Sequence, residues 1–291
     1  MRLRMGLVGA GPWAAMFHAP MLAAGPRTSL DVVWARRNEA AEELASSYGA
    51  TAVSSYEELL DRCDGVAFAV PPDVQAELAP AAAHAGRHLL LEKPLAFTVA
   101  EAERIATAVD EAGVRTVLML RNRFTSEGRR FVEPVRGADA RGAQARFVTG
   151  AALEGSPFAT PWRVERGALF DLGPHVLDLL DAALGPVVHL SAAGDPRRLL
   201  TVATQHEDGA VAQAALSITT PGTDGTLRIE AWTAKGPVAF DGRRSDDDPH
   251  VTAALAASLA DAVETGADHP VDVHRGLYLQ RLLARVEDAL R

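Results

Sequence analysis

Three side chains in this sequence, Lys93, Asp171 and His175, are of types that can carry acid–base chemistry. An imidazole has an unperturbed pKa of about 6.5, so His175 can take a proton from a hydroxyl group or return one near neutral pH. An ammonium such as that of Lys93 can hydrogen-bond a hydroxyl or carbonyl oxygen and stabilise the charge that develops there. These residues therefore predict proton transfer at an alcohol or carbonyl group.

Asp171 and His175 are four residues apart, so they lie on the same side of a helix if one helix carries both. We predict that this helix begins with Asp171 as its N-cap and has Pro174 in its first turn, where proline is tolerated. Asp171 would then orient His175 or hold a substrate. The alternatives are a plain helix cap, a buried structural histidine and, for Lys93, a surface lysine at a turn. A metal site is not expected, because no third ligand stands at a useful spacing.

A glycine-rich stretch near the start of the chain predicts a site for the pyrophosphate of a dinucleotide. Gly9, Gly11 and Ala14 match the pattern G-x-G-x-x-A and follow the apolar residues 5–8. The first glycine allows a tight strand-to-helix turn, the second lets phosphates approach the backbone, and the small third residue lets helix and strand pack closely. An ordinary glycine-rich turn is the alternative. The predicted cofactor contacts of this loop are Gly9, Gly11, Pro12, Trp13 and Ala14.

The end of the second predicted strand, residues 32–35, bears on the choice between NAD and NADP. Sites for NAD carry Asp or Glu at this place, roughly 20 residues beyond the glycines, to bind the ribose 2′-hydroxyl. Here the strand is followed by Arg36 and Arg37, whose guanidinium groups suit the 2′-phosphate of NADP. We predict NADP as the cofactor, with NAD as the alternative if the two arginines only cover the surface.

The order of apolar runs and helical patterns predicts an α/β fold. Up to about residue 120, strands alternate with helices, as in the doubly wound parallel sheet of a Rossmann domain. Beyond that point strands dominate, which predicts an α+β domain with an open, mostly antiparallel sheet. We therefore expect a dinucleotide-binding domain, residues 1–120, and a second, α+β domain, residues 121–291. The predicted strands are residues 3–8, 32–35, 65–70, 89–91, 114–120, 145–148, 187–192, 199–204, 210–218 and 227–233.

The carboxyl ends of the predicted parallel strands should carry the rest of the cofactor site, because ligands bind at that edge of such a sheet. The strand 65–70 ends at Pro71-Pro72, which must leave the sheet since proline cannot donate a ladder hydrogen bond. The strand 89–91 is followed directly by Glu92-Lys93-Pro94. The cofactor contacts predicted here are Val70, Pro71, Pro72, Gln75, Glu92 and Lys93.

Composition argues against several classes of function. The formal net charge of −9 and the isoelectric point near 5.5 oppose nucleic-acid binding, so the basic residues between 121 and 130 are interpreted as a solvated surface or a flank of the phosphate site. No run of residues is long and apolar enough to predict a membrane span. The single cysteine, Cys63, fits a reducing compartment, and Gly9, Gly11 and Pro12 interrupt the apolar start before it reaches signal-peptide length. We predict a cytoplasmic protein.

Four motifs, taken in order, resemble those of the Gfo/Idh/MocA family of NAD(P)-dependent sugar and polyol oxidoreductases. They are Gly9-x-Gly11-x-x-Ala14, Val70-Pro71-Pro72, Glu92-Lys93-Pro94 and Asp171-Leu172-Gly173-Pro174-His175. The resemblance covers nearly the whole chain, including Arg123-Phe124 and Trp162-Arg163. It implies catalytic roles for Lys93, Asp171 and His175 and substrate contacts by Arg123, Trp162 and Arg163. It also implies a homodimer or homotetramer formed through the sheet of residues 187–233.

The sequence departs from the family pattern at two points. Gln75 stands where many members carry a histidine after the Pro-Pro turn, and the second domain, which shapes the substrate pocket, is short. The resemblance implies hydride transfer between NADP(H) or NAD(H) and a carbinol or carbonyl carbon of a sugar, polyol or related small molecule. A regulator that binds the cofactor without turnover is the alternative, and a small imine or biliverdin-type reductase is a third possibility.

Overall fold

The computed structural model describes residues 2–246, 248 and 250–291. The first part of the chain alternates strands and helices. Its elements are β1 (Leu3–Val8), α1 (Ala19–Ala24), β2 (Thr28–Trp34), α2 (Asn38–Ser46), β3 (Thr51–Ala52), α3 (Tyr56–Arg62), β4 (Gly65–Phe68), α4 (Pro72–His84), β5 (His88–Leu91), α5 (Val99–Ala112) and β6 (Thr116–Leu118).

The six strands of this part form one sheet in which all neighbours pair in parallel. Their order is β3-β2-β1-β4-β5-β6. From β1 the strand order leads through β2 and β3 to one edge of the sheet, and from β4 it leads through β5 and β6 to the other edge. Doubly wound sheets bind ligands where the strand order reverses in this way, at the carboxyl ends of the strands. The predicted Rossmann architecture is confirmed.

Helix ends in this part follow the residue types around them. Thr98 and Glu101 form a capping box at the start of α5, and Gly113 ends that helix with a φ of 65°. Before α1 the backbone forms a π-helical turn, Ala14–His18, and Pro20 lies in the first turn of α1. A proline cannot donate a backbone hydrogen bond to the preceding turn, so the π-helical turn directly before Pro20 fits its position. The short α3, capped by Ser55, was not predicted.

The second part of the chain begins with a 3₁₀ turn, Arg121–Phe124, and contains a second six-stranded sheet. Its elements are α6 (Ser126–Arg136), β7 (Ala140–Val148), α7 (Pro161–Leu184), β8 (Val187–Gly194), β9 (Leu200–His206), β10 (Val211–Ser217), β11 (Arg228–Thr233), β12 (Gly236–Asp241) and α8 (Gly242–Asp246). The strand order is β12-β11-β7-β10-β9-β8, and only β7 and β10 pair in parallel. The predicted open, mostly antiparallel sheet is confirmed, while β12 was not predicted.

Helix α7 packs on β7, β9 and β10 and begins well before Asp171, its predicted start. It begins at Pro161 and contains one break, at Gly167, whose φ is 72°. A Cβ at Gly167 would meet the carbonyl oxygen of Pro196 at 2.3 Å, so only glycine lets the two backbones approach this closely. The prediction that Asp171 is an N-cap is wrong, because Asp171 lies inside this helix rather than at its start.

The opposite face of the second sheet carries side chains that are mostly small or uncharged. The register aligns Ser191, Ala203, Gln213 and Gln144 across four neighbouring strands. Among the large apolar side chains, Val211 is 56% exposed and Trp232 is 43% exposed. We call this surface the outer sheet face.

Two helices, α9 (Val251–Thr265) and α10 (Val273–Ala289), end the described chain. The chain divides into two compact units: the residues up to Met119 with His250–Tyr278, and residues 120–249 with Leu279–Arg291. The division differs from the predicted boundary at residue 120, because α9 packs on α1, β2, β5 and β6. None of the helices in the described part of the chain combines the length and apolar character needed to span a membrane.

Candidate functional site

A groove of about 490 Å³ lies at the carboxyl ends of β1, β2 and β4 in the first unit. We call it the glycine-loop groove. Six of the predicted cofactor contacts are among the residues that line it: Gly9, Gly11, Arg36, Arg37, Val70 and Pro71. Two others face inward instead, since Ala14 and Pro72 are buried in the packing around the loop.

The two glycines of the loop have different surroundings, and both suit a dinucleotide. Gly9 has a φ of 109°, and a Cβ there would meet the carbonyl oxygen of Ala69 at 2.4 Å. A Cβ on Gly11 would meet nothing within 4 Å, so the backbone at Gly11 faces open space that a phosphate can enter. The helical turn that follows offers its first N–H groups to an anion.

The end of β2 presents positive charge to the same groove. Arg36 and Arg37 are both exposed and both line it. The one carboxylate among the described lining residues, Glu77, comes from α4 rather than from the end of β2. The residues present therefore fit a cofactor that carries a phosphate near the end of β2.

The turn that carries Lys93 is held by Gln75. The Gln75 side chain is fully buried, and its amide nitrogen donates to the carbonyl oxygens of Glu92 (2.9 Å) and Leu95 (3.0 Å). Its amide oxygen accepts the N–H of Glu92 at 2.7 Å. These bonds occupy the polar atoms of the amide, so the predicted cofactor contact by this side chain is corrected. The buried Gln75 side chain instead holds the backbone of the Lys93 turn in place.

Glu92 has a carboxylate that is also engaged within the first unit. Its Oε1 accepts the indole N–H of Trp13 at 2.6 Å and lies 2.8 Å from Nε2 of His18, while Oε2 accepts the N–H of Lys93 at 3.1 Å. Burial alone would raise the pKa of Glu92, but the hydrogen bond and charge of His18, the charge of Lys93 and the bond from Trp13 hold that pKa below its usual value. The Glu92 carboxylate thus links the Trp13 and His18 rings to the backbone of Lys93, and its predicted contact with the cofactor stays a prediction.

In the second unit, Asp171 is paired with Arg163. Nε of Arg163 lies 3.1 Å from Oδ1 of Asp171, and Nη1 donates to Oγ1 of Thr160 at 3.2 Å. The same guanidinium lies 4.4 Å from the ring centroid of Trp162. The structure thus gives the Asp171 carboxylate a partner in Arg163, eight residues earlier, and the orientation of His175 by Asp171 stays a prediction.

His175 and Arg123 complete the predicted residues of the second unit. His175 is half-buried, and its ring lies 6.5 Å from that of Phe147 in β7. Arg123 forms an ion pair of 3.0 Å with Asp178, whose side chain is almost fully buried. Asp178 lies one helical turn beyond His175 on α7, so this pair joins the 3₁₀ turn to the helix that carries Asp171 and His175.

Sequence reasoning missed two residues of these networks, His18 and Asp178. Both make their contacts with residues far away in the sequence: His18 with Glu92, 74 positions later, and Asp178 with Arg123, 55 positions earlier. No local spacing connects such pairs. Lys93 belongs to the first unit, whereas Asp171, His175, Arg123, Trp162 and Arg163 belong to the second. In the part of the chain that the structure describes, no group of three or more His, Cys, Asp or Glu side chains is placed to hold a metal ion.

Comparison with known proteins places the chain in a family. Residues 3–120 match the model of an oxidoreductase family with an NAD-binding Rossmann fold, and residues 139–239 match the Gfo/Idh/MocA C-terminal domain. The chain belongs to the Gfo/Idh/MocA family of oxidoreductases, as its motifs predicted.

Individual relatives are enzymes of sugar metabolism by name. The chain is 31% identical over 253 residues to a dTDP-3,4-didehydro-2,6-dideoxy-alpha-D-glucose 3-reductase of Streptomyces antibioticus, covering 79% of this chain and 76% of that protein. It is 29% identical to the protein of the same name from Streptomyces violaceoruber, covering 66% of this chain and 57% of that protein. The match thus spans little more than half the length of the second relative. An oxidoreductase domain protein from Kribbella flavida has a similar structure, with a TM-score of 0.87 at 25% identity over 99% of this chain and 97% of that one.

Proposed function

We propose that the protein transfers a hydride between a nicotinamide cofactor and a carbinol or carbonyl carbon of a sugar, polyol or related small molecule. The observation that carries this proposal is the hydrogen-bond network that joins the glycine loop to the Lys93 turn through Trp13 and Glu92. One compact unit therefore presents both a dinucleotide loop and an ammonium group. The names of the relatives support a sugar as the substrate class.

Lys93 and His175 have separate tasks in the proposed reaction. The bound nicotinamide supplies or accepts the hydride. Lys93 binds the oxygen at the reacting carbon and stabilises the charge on it, and His175 takes or returns the proton of the same hydroxyl group. Asp171, held by Arg163, supports the segment of α7 that carries His175. Arg123, Trp162 and Arg163 are proposed to contact the substrate.

NADP is the proposed cofactor, with NAD as the alternative. Support comes from Arg36 and Arg37 in the glycine-loop groove and from the lack of a carboxylate at the end of β2 among its described lining residues. The remaining cofactor contacts are proposed to come from Gly9, Gly11 and the Val70-Pro71 turn. The single cysteine, Cys63, is buried and supports a reducing compartment such as the cytoplasm.

Oxidation of NADPH with a panel of keto-sugars tests the proposal. Lys93→Ala and His175→Ala should each lower turnover by roughly 100-fold or more and leave the NADPH dissociation constant within about 3-fold, since general acid–base groups contribute on that scale. The double variant should lose less than the product of the two effects, because both residues serve one proton transfer. Asp171→Asn should have a smaller effect than His175→Ala.

The chain offers a matched control for Lys93→Ala. Lys93 and Lys235 are its two lysines, and Lys235 is exposed at the hairpin between β11 and β12. Lys235→Ala should keep the parent turnover. If the parent turns over none of the sugars while both alanine variants still bind a sugar ligand normally, the enzyme proposal fails and a cofactor-binding regulator replaces it.

A further inference from the structure

A cluster of three rings fills the space between the glycine loop and the Lys93 turn. Trp13 stacks on Phe17 with ring centroids 4.9 Å apart and planes within 3° of parallel, and the ring of His18 meets both edge-on at 6.4 Å and 6.0 Å. All three residues lie in or next to the π-helical turn, and such turns often occur at functional sites. We call Trp13, Phe17, His18 and Glu92 the Trp13 cluster.

The carboxylate of Glu92 is the centre of this cluster. One of its oxygens is bonded by Trp13 and His18, and the other by the backbone N–H of Lys93. A buried carboxylate is stable only when its oxygens are hydrogen-bonded, so the two ring donors fix its orientation. His18 has no exposed surface, and its Nδ1 has no hydrogen-bond partner within the described part of the chain. Within the described part of the chain, the polar contact of the His18 ring is therefore the one between its Nε2 and Glu92.

We propose that His18 and Trp13 are positioning residues for Lys93. They hold the Glu92 carboxylate in the orientation in which its second oxygen fixes the Lys93 backbone, and so they keep the ammonium group aimed at the substrate. The inference rests on the proposed function, which makes Lys93 the group that acts on the substrate. Gln75 clamps the backbone on both sides of Lys93 independently. The turn itself therefore survives when the cluster is altered, while the direction of Lys93 changes.

Substitutions of His18 test the proposal through turnover. His18→Leu removes the donor and keeps an apolar side chain of similar bulk, whereas His18→Gln offers an amide donor in its place. We expect His18→Leu to lower kcat roughly 10-fold, which corresponds to about 1.4 kcal/mol, with KM and the NADPH dissociation constant within about 3-fold. His18→Gln should recover most of the lost kcat. Trp13→Phe, which loses the indole N–H and keeps a ring against Phe17, should also lower kcat.

A matched control separates positioning from general loss of packing. Thr28 is buried in the same unit, and its hydroxyl donates to the carbonyl oxygen of Leu22 at 3.0 Å. Thr28→Val removes this buried hydrogen bond with little change of shape, so it should lower the midpoint of thermal unfolding and keep the parent kcat. If His18 has a purely structural role, His18→Leu should likewise lower the midpoint of thermal unfolding and keep the parent kcat.

A second measurement needs no turnover. Reductive methylation with ¹³C-formaldehyde labels the α-amino group as well as Lys93 and Lys235 and keeps their positive charge. Spectra of Lys93→Ala and Lys235→Ala assign the two lysine signals, one a reporter at the site and one a reference on an exposed hairpin. The Lys93 signal should shift or split in His18→Leu and Trp13→Phe and return towards the parent position in His18→Gln. The Lys235 signal should stay in place throughout.

The two measurements separate this proposal from the proposed function. If the parent turns over a sugar and folded His18→Leu keeps the parent kcat, the positioning role is overturned and the enzyme proposal stands. If the parent turns over no sugar, the enzyme proposal fails, and the positioning role is tested by NMR alone. A Lys93 signal that is the same in His18→Leu as in the parent overturns the positioning role, and a shifted signal supports it. If His18→Leu does not fold, Trp13→Phe decides by the same criteria.

Discussion

Arg36 is the residue at which the choice of cofactor can be tested with one substitution. Arg36→Asp replaces a group that can bind a 2′-phosphate by one that can accept the hydrogen of a 2′-hydroxyl. We expect NADPH binding to weaken by roughly 1 to 3 kcal/mol and the preference to turn towards NADH. Titration of both cofactors against protein fluorescence at low salt measures the change.

The control for Arg36→Asp is the same charge change elsewhere on the first unit. Arg104 is exposed on α5, so Arg104→Asp should leave the ratio of the NADPH and NADH dissociation constants unaltered. Equal affinity of the parent protein for the two cofactors would contradict the prediction, and the arginines at the end of β2 would then be surface charges.

Single residues were predictable from sequence where their surroundings are local. Gly9, Gly11 and Arg36 line the predicted groove because loop chemistry and distance along the chain determine their positions. Gln75 was assigned to the cofactor because the backbone groups that it binds, 17 and 20 positions later, leave no pattern in the sequence. Asp171 was taken for a helix cap because the turn of α7 that contains its partner, Arg163, was not foreseen.

The strand-to-helix turn after β1 provides a test at the level of an element. Gly9→Ala forces a Cβ to within 2.4 Å of the carbonyl oxygen of Ala69, at a φ of 109° that side chains avoid. It should lower the free energy of unfolding by at least about 1 to 3 kcal/mol, as measured by urea denaturation. Gly11→Ala should unfold at the parent midpoint, because its Cβ meets nothing within 4 Å.

Gly9→Ala and Gly11→Ala also separate an effect on stability from an effect on cofactor binding. Gly11→Ala should lose at least about 10-fold in NADPH affinity, because its methyl group occupies the space that the pyrophosphate needs. A folded Gly11→Ala protein with the parent affinity would show that no phosphate approaches the backbone at this residue.

Secondary-structure elements were predicted well where burial and hydrophobic periodicity indicate the same structure, and poorly at the edges of the sheets. The strands β1, β4 and β5 are buried apolar runs of a parallel sheet, and their positions matched to within a few residues. Strand β12 was missed because Gly236 and Pro237 indicate a turn, yet β12 lies at the edge of its sheet, where proline is tolerated. The first half of α7 was missed because Gly167 and the neighbouring charged residues interrupt its apolar pattern.

At the scale of the whole molecule, we propose that two copies associate through the outer sheet face. The family resemblance implies this contact, and the small side chains in the middle of the face permit close approach of a second sheet. Ala203→Arg places a charge there and should raise the dimer dissociation constant at least about 10-fold in sedimentation equilibrium. Ala81→Arg, on the exposed side of α4, should have no effect. A parent protein that stays monomeric at high concentration would refute the contact.

The division of the chain into units could not be predicted from sequence. The apolar patterns of α9 and α10 indicate two amphipathic helices, but a helix pattern does not state which sheet it covers. In the structure α9 lies on the first sheet, and Asp261 and Glu264 pair with Arg27 across nearly the whole length of the sequence. The predicted division into residues 1–120 and 121–291 follows the order of strands along the chain. It does not include the return of residues 250–278 to the first unit.

The return of the chain to the first sheet has a consequence for synthesis on the ribosome. Strand β6 is an edge strand, and its Leu118 donates its N–H to the carbonyl oxygen of Val271, while Thr116 accepts the N–H of Val273. Until those later residues leave the exit tunnel, the nascent Rossmann sheet keeps an open edge that can pair with strands of neighbouring chains. Synthesis and release of the segment up to Val273 therefore end an interval of exposure to aggregation, during which a chaperone has most to protect.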